Sequence, residues 1–520
     1  MPPKKESSAK TISIVMVITL LGKVLGLVRD RLLAVNYGSG LTAAAFLTAS
    51  RLPRVFFDVL FASAIASCFI PVFSESLVKK GKEESFGLAR SFLTLIIILT
   101  AALTVLGMVF AKPLSALMIG AAASSQTLEL TASLTRLMFP TALITGIAFS
   151  LVGILQSMDR FYVPAFLSAV PNLVIIAYFI FMNETYGVYG LVAAFLIGWL
   201  LQVVVQLPSL RQVGFRYKPK FNFLSEDMKK ILILMLPILV ASWVQPINST
   251  INTRFGWTLY NGAGVTAIEM ASSLYLVIAG VFILSVTNVI FPKLSRLTAE
   301  SDDGEFTAVL QSTLQGSFYF VFPMTAGLMI VAHPLIDFIY GGGAFDAFSV
   351  SITAQALFWL SLGMIGYAMQ NILSRAYFAK QDGKTPLIAA VISIIANLVL
   401  CMLLTSRFEV SGLALASALS SVLYGLLLLI PLQIRGEKLF TAKTVSSLCR
   451  MLLGTVIMAF AAYFALQLTA GLLSGKLGLL LCMGFTAAVG SAAYFITTKL
   501  LGLDEANTAL QTAKRMLKRG

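Results

Sequence analysis

The sequence predicts an all-α polytopic membrane protein: about 14 transmembrane helices, as two six-helix lobes followed by two C-terminal helices. Three observations predict it. Apolar runs of 18 or more residues recur from end to end, long enough to cross a bilayer as helix. Lys and Arg collect in alternate connecting segments. Short motifs in the first half return at near-constant spacing in the second. Of 520 residues, 58% are hydrophobic and only 12% are charged; with a mean hydropathy of +0.89, soluble domains of this length would lack the charges to cover their surfaces.

In chain order the spans are placed at 11–35, 42–72, 87–111, 128–156, 162–182, 187–208, 229–253, 264–291, 308–332, 350–378, 386–405, 411–431, 445–468 and 475–500. Residues 1–10 form a short basic cytoplasmic segment. The first apolar run carries Arg29 and Asp30 and shows no clear small-residue cleavage site, so it reads as a retained helix and not a signal peptide. The N-lobe covers 11–208 and a cytoplasmic linker 209–228. The C-lobe covers 229–431, the last two spans 445–500, and a basic cytoplasmic tail 501–520.

The charges orient the spans. With the N-terminus inside, the inner segments hold Lys79-Lys80-Gly81-Lys82, Arg211 to Lys230, Lys293 to Arg296, Arg375 to Lys384, Arg435 to Lys443 and Lys514 to Arg519. The outer segments, such as Asn36-Tyr37-Gly38-Ser39-Gly40 and Asn183-Glu184-Thr185, are nearly bare. Roughly 25 basic residues fall inside and about three outside, as the positive-inside rule requires. Both termini are therefore expected in the cytoplasm of a multi-pass protein of the inner (cytoplasmic) membrane.

Phe69-Ile70-Pro71-Val72-Phe73-Ser74 ends the second span and Ile290-Phe291-Pro292-Lys293-Leu294-Ser295 the eighth, 221 residues apart. Ile119-Gly120 and Tyr340-Gly341 stand at the same spacing, and Gly153-Ile154-Leu155-Gln156 resembles Asn371-Ile372-Leu373-Ser374 at 218. Two pseudo-symmetric halves around a central cavity are a transporter architecture.

Several function classes are excluded. The net charge of +15 serves membrane orientation, and no basic–aromatic nucleic-acid surface is present. Cys68, Cys401, Cys449 and Cys482 stand singly within apolar runs and read as packing residues. One histidine, His333, placed at a helix end, supports neither a zinc site nor a His-based triad. Gly341-Gly342-Gly343 lacks the Lys-Ser/Thr of a phosphate-binding loop. Asp302-Asp303-Gly304-Glu305 reads as a solvated loop, and Leu510 to Arg519 as a basic amphipathic helix or a topogenic tail.

Charges inside spans carry the chemistry, because they are costly in lipid and so face protein or water. Span one holds Lys23, Arg29, Asp30 and Arg31; span two holds Arg51, Arg54 and Asp58; Arg136, Arg254 and Glu269 lie in spans four, seven and eight. Arg51, Arg54 and Asp58 share one helix face, as do Lys23 and Asp30. Gly22 and Gly26 flank Lys23 as a Gly-xxx-Gly pair that permits close helix contact, and Pro53 can kink span two. The excess of cations favours an anion, and the planar fork of Arg suits phosphate. The functional reading is a phosphate or pyrophosphate site between the halves; the structural one is ion pairing, such as Arg54 with Asp58.

At these residues the chain resembles the MurJ/MviN family of lipid II flippases, within the MATE-like (MOP) superfamily. The matching segments are Val24-Leu25-Gly26-Leu27-Val28-Arg29-Asp30, Arg51-Leu52-Pro53, Phe69 to Glu75, Thr135-Arg136-Leu137-Met138-Phe139-Pro140, and Arg160-Phe161 with Pro164-Ala165-Phe166 and Asn172. Phe291 to Ser295, Tyr340 to Asp346, and Arg375-Ala376-Tyr377-Phe378-Ala379 with Asp382 and Thr385-Pro386 follow; taken in this order they are specific. The resemblance implies movement of lipid II, an undecaprenyl-pyrophosphate-linked disaccharide pentapeptide, to the outer leaflet for peptidoglycan synthesis and hence cell-wall biogenesis and shape. It implies lobes that open alternately, a lipid-tail groove at spans thirteen and fourteen, no cofactor, and coupling to membrane potential or a monovalent cation.

Arg29 and Asp30 match the family's cavity positions. Lys23 stands where Arg is usual, Ala44 and Ala62 where many members have Asp and Glu, Phe57 and Asp58 where an Arg pair is typical, and Ser273 where span eight usually has Arg. Asn252 falls near an Asp that some members use for sodium. The substrate-binding set is therefore Lys23, Arg29, Arg51, Arg54 and Arg254, the last supplying charge from the second lobe. Asp30, Asp58 and Glu269 are placed as gating or orienting groups and Asn252 as a cation site. The expected partners are lipid II, membrane lipids and peptidoglycan synthases, with a monomeric protein and no nucleic acid. Three alternatives stay open: another polyprenyl-pyrophosphate-linked oligosaccharide or a drug as cargo, a non-transporting scaffold for wall synthesis, and a membrane transferase. Buried positive charge argues against a cationic drug, and no catalytic carboxylate cluster supports the transferase.

Overall fold

Every predicted span is built of helix, interrupted in places by short turns, in the computed structural model, which describes residues 8–57, 65–120, 124–242, 244–434, 439–469, 471 and 475–507. Among these residues the only departure from helix, turn and loop is one bridge between Gly342 and Phe345. The first span is α1 (Ser8–Tyr37). The second is α2 (Leu41–Phe57), a π-helical turn at Ile65–Phe69 and α3 (Ile70–Lys79). Next come α4 (Lys82–Val109), the short α5 (Ala111–Ile119), then α6 (Ser125–Met138) and α7 (Pro140–Ser157) as one span. The fifth and sixth are α8 (Tyr162–Phe166) with α9 (Val170–Phe181), and α10 (Asn183–Val213); the seventh is α11 (Glu226–Ser242) with α12 (Val244–Gly256).

The later elements are α13 (Ala263–Ala299), α14 (Asp303–Tyr340), α15 (Ala347–Ser361) with α16 (Gly363–Ala379), α17 (Lys384–Ile434), α18 (Ala442–Thr469) and α19 (Gly475–Leu500). The 51-residue α17 is two helices joined at Glu409, where φ is 51°, and so covers the eleventh and twelfth spans. Among the described residues nine helices are long and apolar enough to cross a membrane, ten when the bent pair α15–α16 counts as one. The chain is an integral membrane protein of all-α, multi-span architecture.

Proline explains several breaks. Pro140 opens α7 and Pro71 lies in the first turn of α3, positions where the missing N–H costs nothing. Pro53, by contrast, lies inside α2, which runs through it to Phe57. His333 is exposed, seven residues inside α14, not at a helix end. The acidic loop has a local task, since Asp302 caps α14 by accepting from the Glu305 N–H at 2.8 Å. Cys68, Cys401 and Cys482 are buried, but Cys449 is exposed on α18.

Two compact units divide the chain, Met1–Thr266 and Ala267–Gly520. The α11–α12 pair, expected with the second half, thus packs in the first unit. That unit has a core of Phe69, Phe73, Phe92, Ile96, Ile154 and Ile231, with Phe69 and Phe92 stacked at 4.3 Å. The second has a core of Leu294, Phe306, Leu310, Ile372, Tyr377 and Leu428. In it, α18 and α19 pack on α14: Tyr494 Oη donates to the Tyr319 carbonyl at 2.8 Å, and Gln311 bonds Thr444 at 2.5 Å.

Candidate functional site: arginines held inside the first unit

Two groups of contacts hold the predicted cations, both within the first unit. On α1, Arg29 donates to Asp30 Oδ1 from Nε and Nη2, at 3.0 and 2.6 Å, and from Nη1 to Asn172 Oδ1 at 3.1 Å. Asn172, on α9, donates its amide to the carbonyls of Gly22 and Ser168, at 3.2 and 3.0 Å. Those two bonds aim its oxygen at the guanidinium. Gly22 makes the approach possible, since a Cβ there would lie 2.3 Å from Ser168 Oγ. The Gly-xxx-Gly pair is thus the seam between α1 and α8–α9. Asp30 is only 9% exposed, and a carboxylate so placed depends on its guanidinium partner.

The second group joins α2, α5 and α12. Arg51 Nη1 donates to the Ser249 carbonyl at 3.1 Å and to Thr253 Oγ1. One turn away, buried Trp257 Nε1 donates to Thr48 Oγ1 at 2.9 Å. Thr48 and Arg51 share a face of α2, and Trp257 lies in the turn that follows α12, four residues beyond Thr253, so the two bonds form successive layers of one contact. Arg254 Nη1 reaches the Ile119 carbonyl at 3.1 Å, at the C-terminus of α5 where a cation suits the helix dipole. Gly120 follows with φ +80°, and a Cβ there would fall 2.0 Å from the Arg254 guanidinium. Only glycine meets both demands, for the left-handed backbone and for the space.

The remaining predicted residues are more scattered. Lys23 is half-buried on α1 and Arg54 exposed in the last turn of α2; Asp58, like Ala62, lies outside the described residues. Asn252 is half-buried on α12, one turn from Asn248, whose Oδ1 is buried without a hydrogen-bond partner. Glu269 and Ser273 are half-buried on α13 in the second unit. Arg254 and Asn252 fall in the first compact unit, where Arg254 bonds α5. Arg31 is half-buried on α1, while exposed Arg136 donates to the Met108 carbonyl at 3.2 Å. Among the described residues no three His, Cys, Asp or Glu side chains converge as metal ligands.

The oxygens just named for Arg51 and Arg254 are neutral, as is the Asn172 oxygen on Arg29, beside the Asp30 carboxylate. A charge-assisted bond to a phosphate oxygen is roughly twice as strong as a neutral one, so such acceptors are exchangeable for an anion. Sequence reasoning missed these acceptors. The signal was the polar run Asn248-Ser249-Thr250 with Asn252-Thr253-Arg254 inside a span otherwise apolar.

A family model described as lipid II flippase MurJ matches residues 33–482. The chain belongs to the MurJ lipid II flippase family. The MurJ match takes in Arg51, Arg54, Asn252, Arg254 and Glu269 and begins just after Arg29 and Asp30. The chain is 28% identical over 425 residues to the lipid II flippase MurJ of Burkholderia cenocepacia, covering 80% of this chain and 82% of that protein. It is 27% identical over 503 residues to the probable lipid II flippase MurJ of Vibrio cholerae, covering 94% and 95%. A solved lipid II flippase MurJ in an inward closed conformation superposes with a TM-score of 0.78 at 24% identity, over 94% of this chain and 98% of that one. An inward-facing multidrug resistance MATE family transporter of the MOP superfamily gives 0.69 at 15% identity, over 82% and 98%. These likenesses establish the MurJ and MATE-like fold.

Proposed function

We propose that this chain is a flippase that carries lipid II from the inner to the outer leaflet of the cell membrane. The observation that carries the reading is the arrangement just described: in a MurJ family member, Arg51 and Arg254 are held inside the first unit on neutral oxygens that an anion can replace, and Arg29 on one such oxygen beside the Asp30 carboxylate. The pyrophosphate is the part of lipid II most costly to bring into a low-dielectric layer. Arg29, Arg51 and Arg254, with Lys23 and Arg54, would take it; Asp30 orients Arg29, and Asp58 and Glu269 act in gating. The prenyl tail stays in lipid along α18 and α19. Alternate access of the two units to either side, coupled to membrane potential or a monovalent cation near Asn252, completes the cycle without covalent chemistry. The reading includes fourteen spans with both termini cytoplasmic, and a monomer working beside peptidoglycan synthases. Lys23 and Ser273, which depart from the family's usual arginines, favour one second reading: another polyprenyl-pyrophosphate-linked oligosaccharide as cargo.

The test is depletion of the protein in its own host, scoring lipid II accessible at the outer face. Outer-face lipid II should fall while total lipid II persists, and the wild-type chain but not Arg29→Ala, at equal membrane abundance, should restore it. Unchanged outer-face lipid II in a host without a second flippase would put the other glycan first. Full rescue by Arg29→Ala would remove the cationic site.

A further inference from the structure

The connection between α10 and α11 holds a basic and aromatic segment that the transport reading does not use. Residues 215–222 have no helix or turn, yet they are fixed along the start of α4. Phe215 is buried, edge-on to Phe86 at 5.4 Å. Arg90 Nε donates to the Arg216 carbonyl at 2.9 Å. Thr94 Oγ1 accepts from the Lys220 N–H at 3.2 Å and lies 3.2 Å from Tyr217 Oη. The segment is a strap, held by its backbone and by Phe215 and Tyr217. The side chains of Arg216 and Lys218 make none of these contacts, and both residues are exposed. With Phe215 and Tyr217 turned to α4, a period of two puts 216 and 218 on the opposite side, whereas Lys220 turns back over α4, its Nζ 2.6 Å from where a Cβ at Gly87 would lie.

Burial along α4 shows which way that side faces. Gly87, Thr94, Ile98, Val105 and Val109 follow one another at helical spacing on one face. Gly87 and Thr94 are buried beneath the strap, whereas Ile98, Val105 and Val109 are 45%, 60% and 66% exposed. Exposed aliphatic side chains on a spanning helix face lipid, so the strap covers the inner end of a lipid-facing surface. It lies at headgroup depth, where aromatic residues settle and cations meet lipid phosphates. Tyr217, Phe221 and Leu224 are 40%, 70% and 79% exposed there.

The charge is one-sided. Residues 211–224 contain Arg211, Arg216, Lys218 and Lys220 and no carboxylate. Of the nearby acids, Glu75 is paired with Lys79 and Lys230, at 2.7 and 2.5 Å, and Asp227 with Lys80 at 2.8 Å. Glu83 and Glu84 stand in the first turn of α4, at its cytoplasmic start. From this geometry we infer that the strap is a docking surface for the headgroup of an anionic phospholipid in the cytoplasmic leaflet. Arg216 and Lys218 bind the phosphate, and Tyr217 and Phe221 sit among the upper acyl carbons.

The experiment uses the full chain, purified in detergent and offered phosphatidylglycerol or phosphatidylcholine, with retained lipid read by native mass spectrometry. Wild type should retain phosphatidylglycerol preferentially. Lys218→Gln should weaken that preference about fivefold, and Arg216→Gln/Lys218→Gln by about thirtyfold. Lys293→Gln/Arg296→Gln, which removes two cytoplasmic cations from the second unit, should leave it unchanged. Lys218 makes none of the holding contacts named above, so Lys218→Gln decides if the double variant does not fold. Equal retention of the two lipids, a preference that survives Lys218→Gln, or an equal loss in the second-unit control would overturn the inference. Displacement of the lipid by millimolar inorganic phosphate would also overturn it, by showing a phosphate site and not a lipid surface.

Discussion

In the first unit α5 ends at Ile119-Gly120, and a guanidinium from α12 closes it. In the second, α14 ends at Tyr340-Gly341, and an ammonium closes it, Lys476 Nζ meeting the Gly341 carbonyl at 2.8 Å. The two ends stand 221 residues apart in sequence, and each has orphan carbonyls and partial negative charge that a cation relieves. Within the spans the units diverge. The first holds Arg51 on carbonyl and hydroxyl oxygens, and Arg29 on the Asp30 carboxylate and the Asn172 amide oxygen. The second holds a buried neutral set in α17: Ser393 Oγ donates to the Ser420 carbonyl at 2.8 Å, Ser420 Oγ to Asn397 Oδ1 at 3.3 Å, and Cys401 Sγ to the same oxygen at 3.7 Å. One architecture thus satisfies polar groups in lipid in two ways. A closed neutral network fixes helix against helix, whereas a cation on neutral acceptors keeps the capacity to exchange them.

The largest expected effect tests that contrast directly. Arg29→Ala should lower outer-face lipid II at least tenfold at equal abundance, while Asn397→Ala should lower the melting temperature, by loss of about 1–3 kcal/mol, and leave transport near wild type. Equal loss of transport in both would erase the distinction between the units. The next pair sharpens it at the two helix ends. Arg254→Gln and Lys476→Gln should each destabilise by about 0.3–2 kcal/mol, seen as similar drops in melting temperature. Only Arg254→Gln should also slow transport several-fold.

The smallest effect concerns the cytoplasmic face, where Lys230 and Lys79 hold the Glu75 carboxyl down at about 2 from its ordinary 4.5. A depressed carboxylate stabilises the fold above its ordinary value, and the contribution fades as pH falls toward the lowered one. The melting difference between wild type and Glu75→Gln should therefore be constant from pH 8 to 6 and shrink between pH 4.5 and 2. A difference that grows with acid would show that the pair is not formed.

Helix positions were legible because spans declare themselves through length and apolar content, and the 221-residue repeat located equivalent ends such as Gly120 and Gly341. That Arg29, Asp30 and Arg51 would need polar partners was legible too, because charge inside an apolar run is costly unless it faces protein or water. Their partners were not. Asn172 lies 143 residues from Arg29 and Thr253 lies 202 from Arg51, and no local pattern encodes such pairings. The bond of Arg254 to Ile119 was hidden for a related reason: a count of helices assigns Arg254 to the second half, but the bond depends on how α12 packs. The role of Gly22 was readable from Gly26 four residues on, since a small-residue seam is a property of one helix.

The strap over α4 bears on how the protein can be cut, tagged or rebuilt. A linker between two repeats is the usual choice for a reporter insertion or for splitting a chain into co-expressed halves, and 209–228 looks like that linker. Here it acts as a cover. Opening the chain between Phe215 and Lys220 would strip Gly87, Arg90 and Thr94 of the segment that shields them and leave two fragments that each lack part of one compact unit. Engineered breaks should instead go to exposed turns that cover nothing, such as the one at Ser301 between α13 and α14.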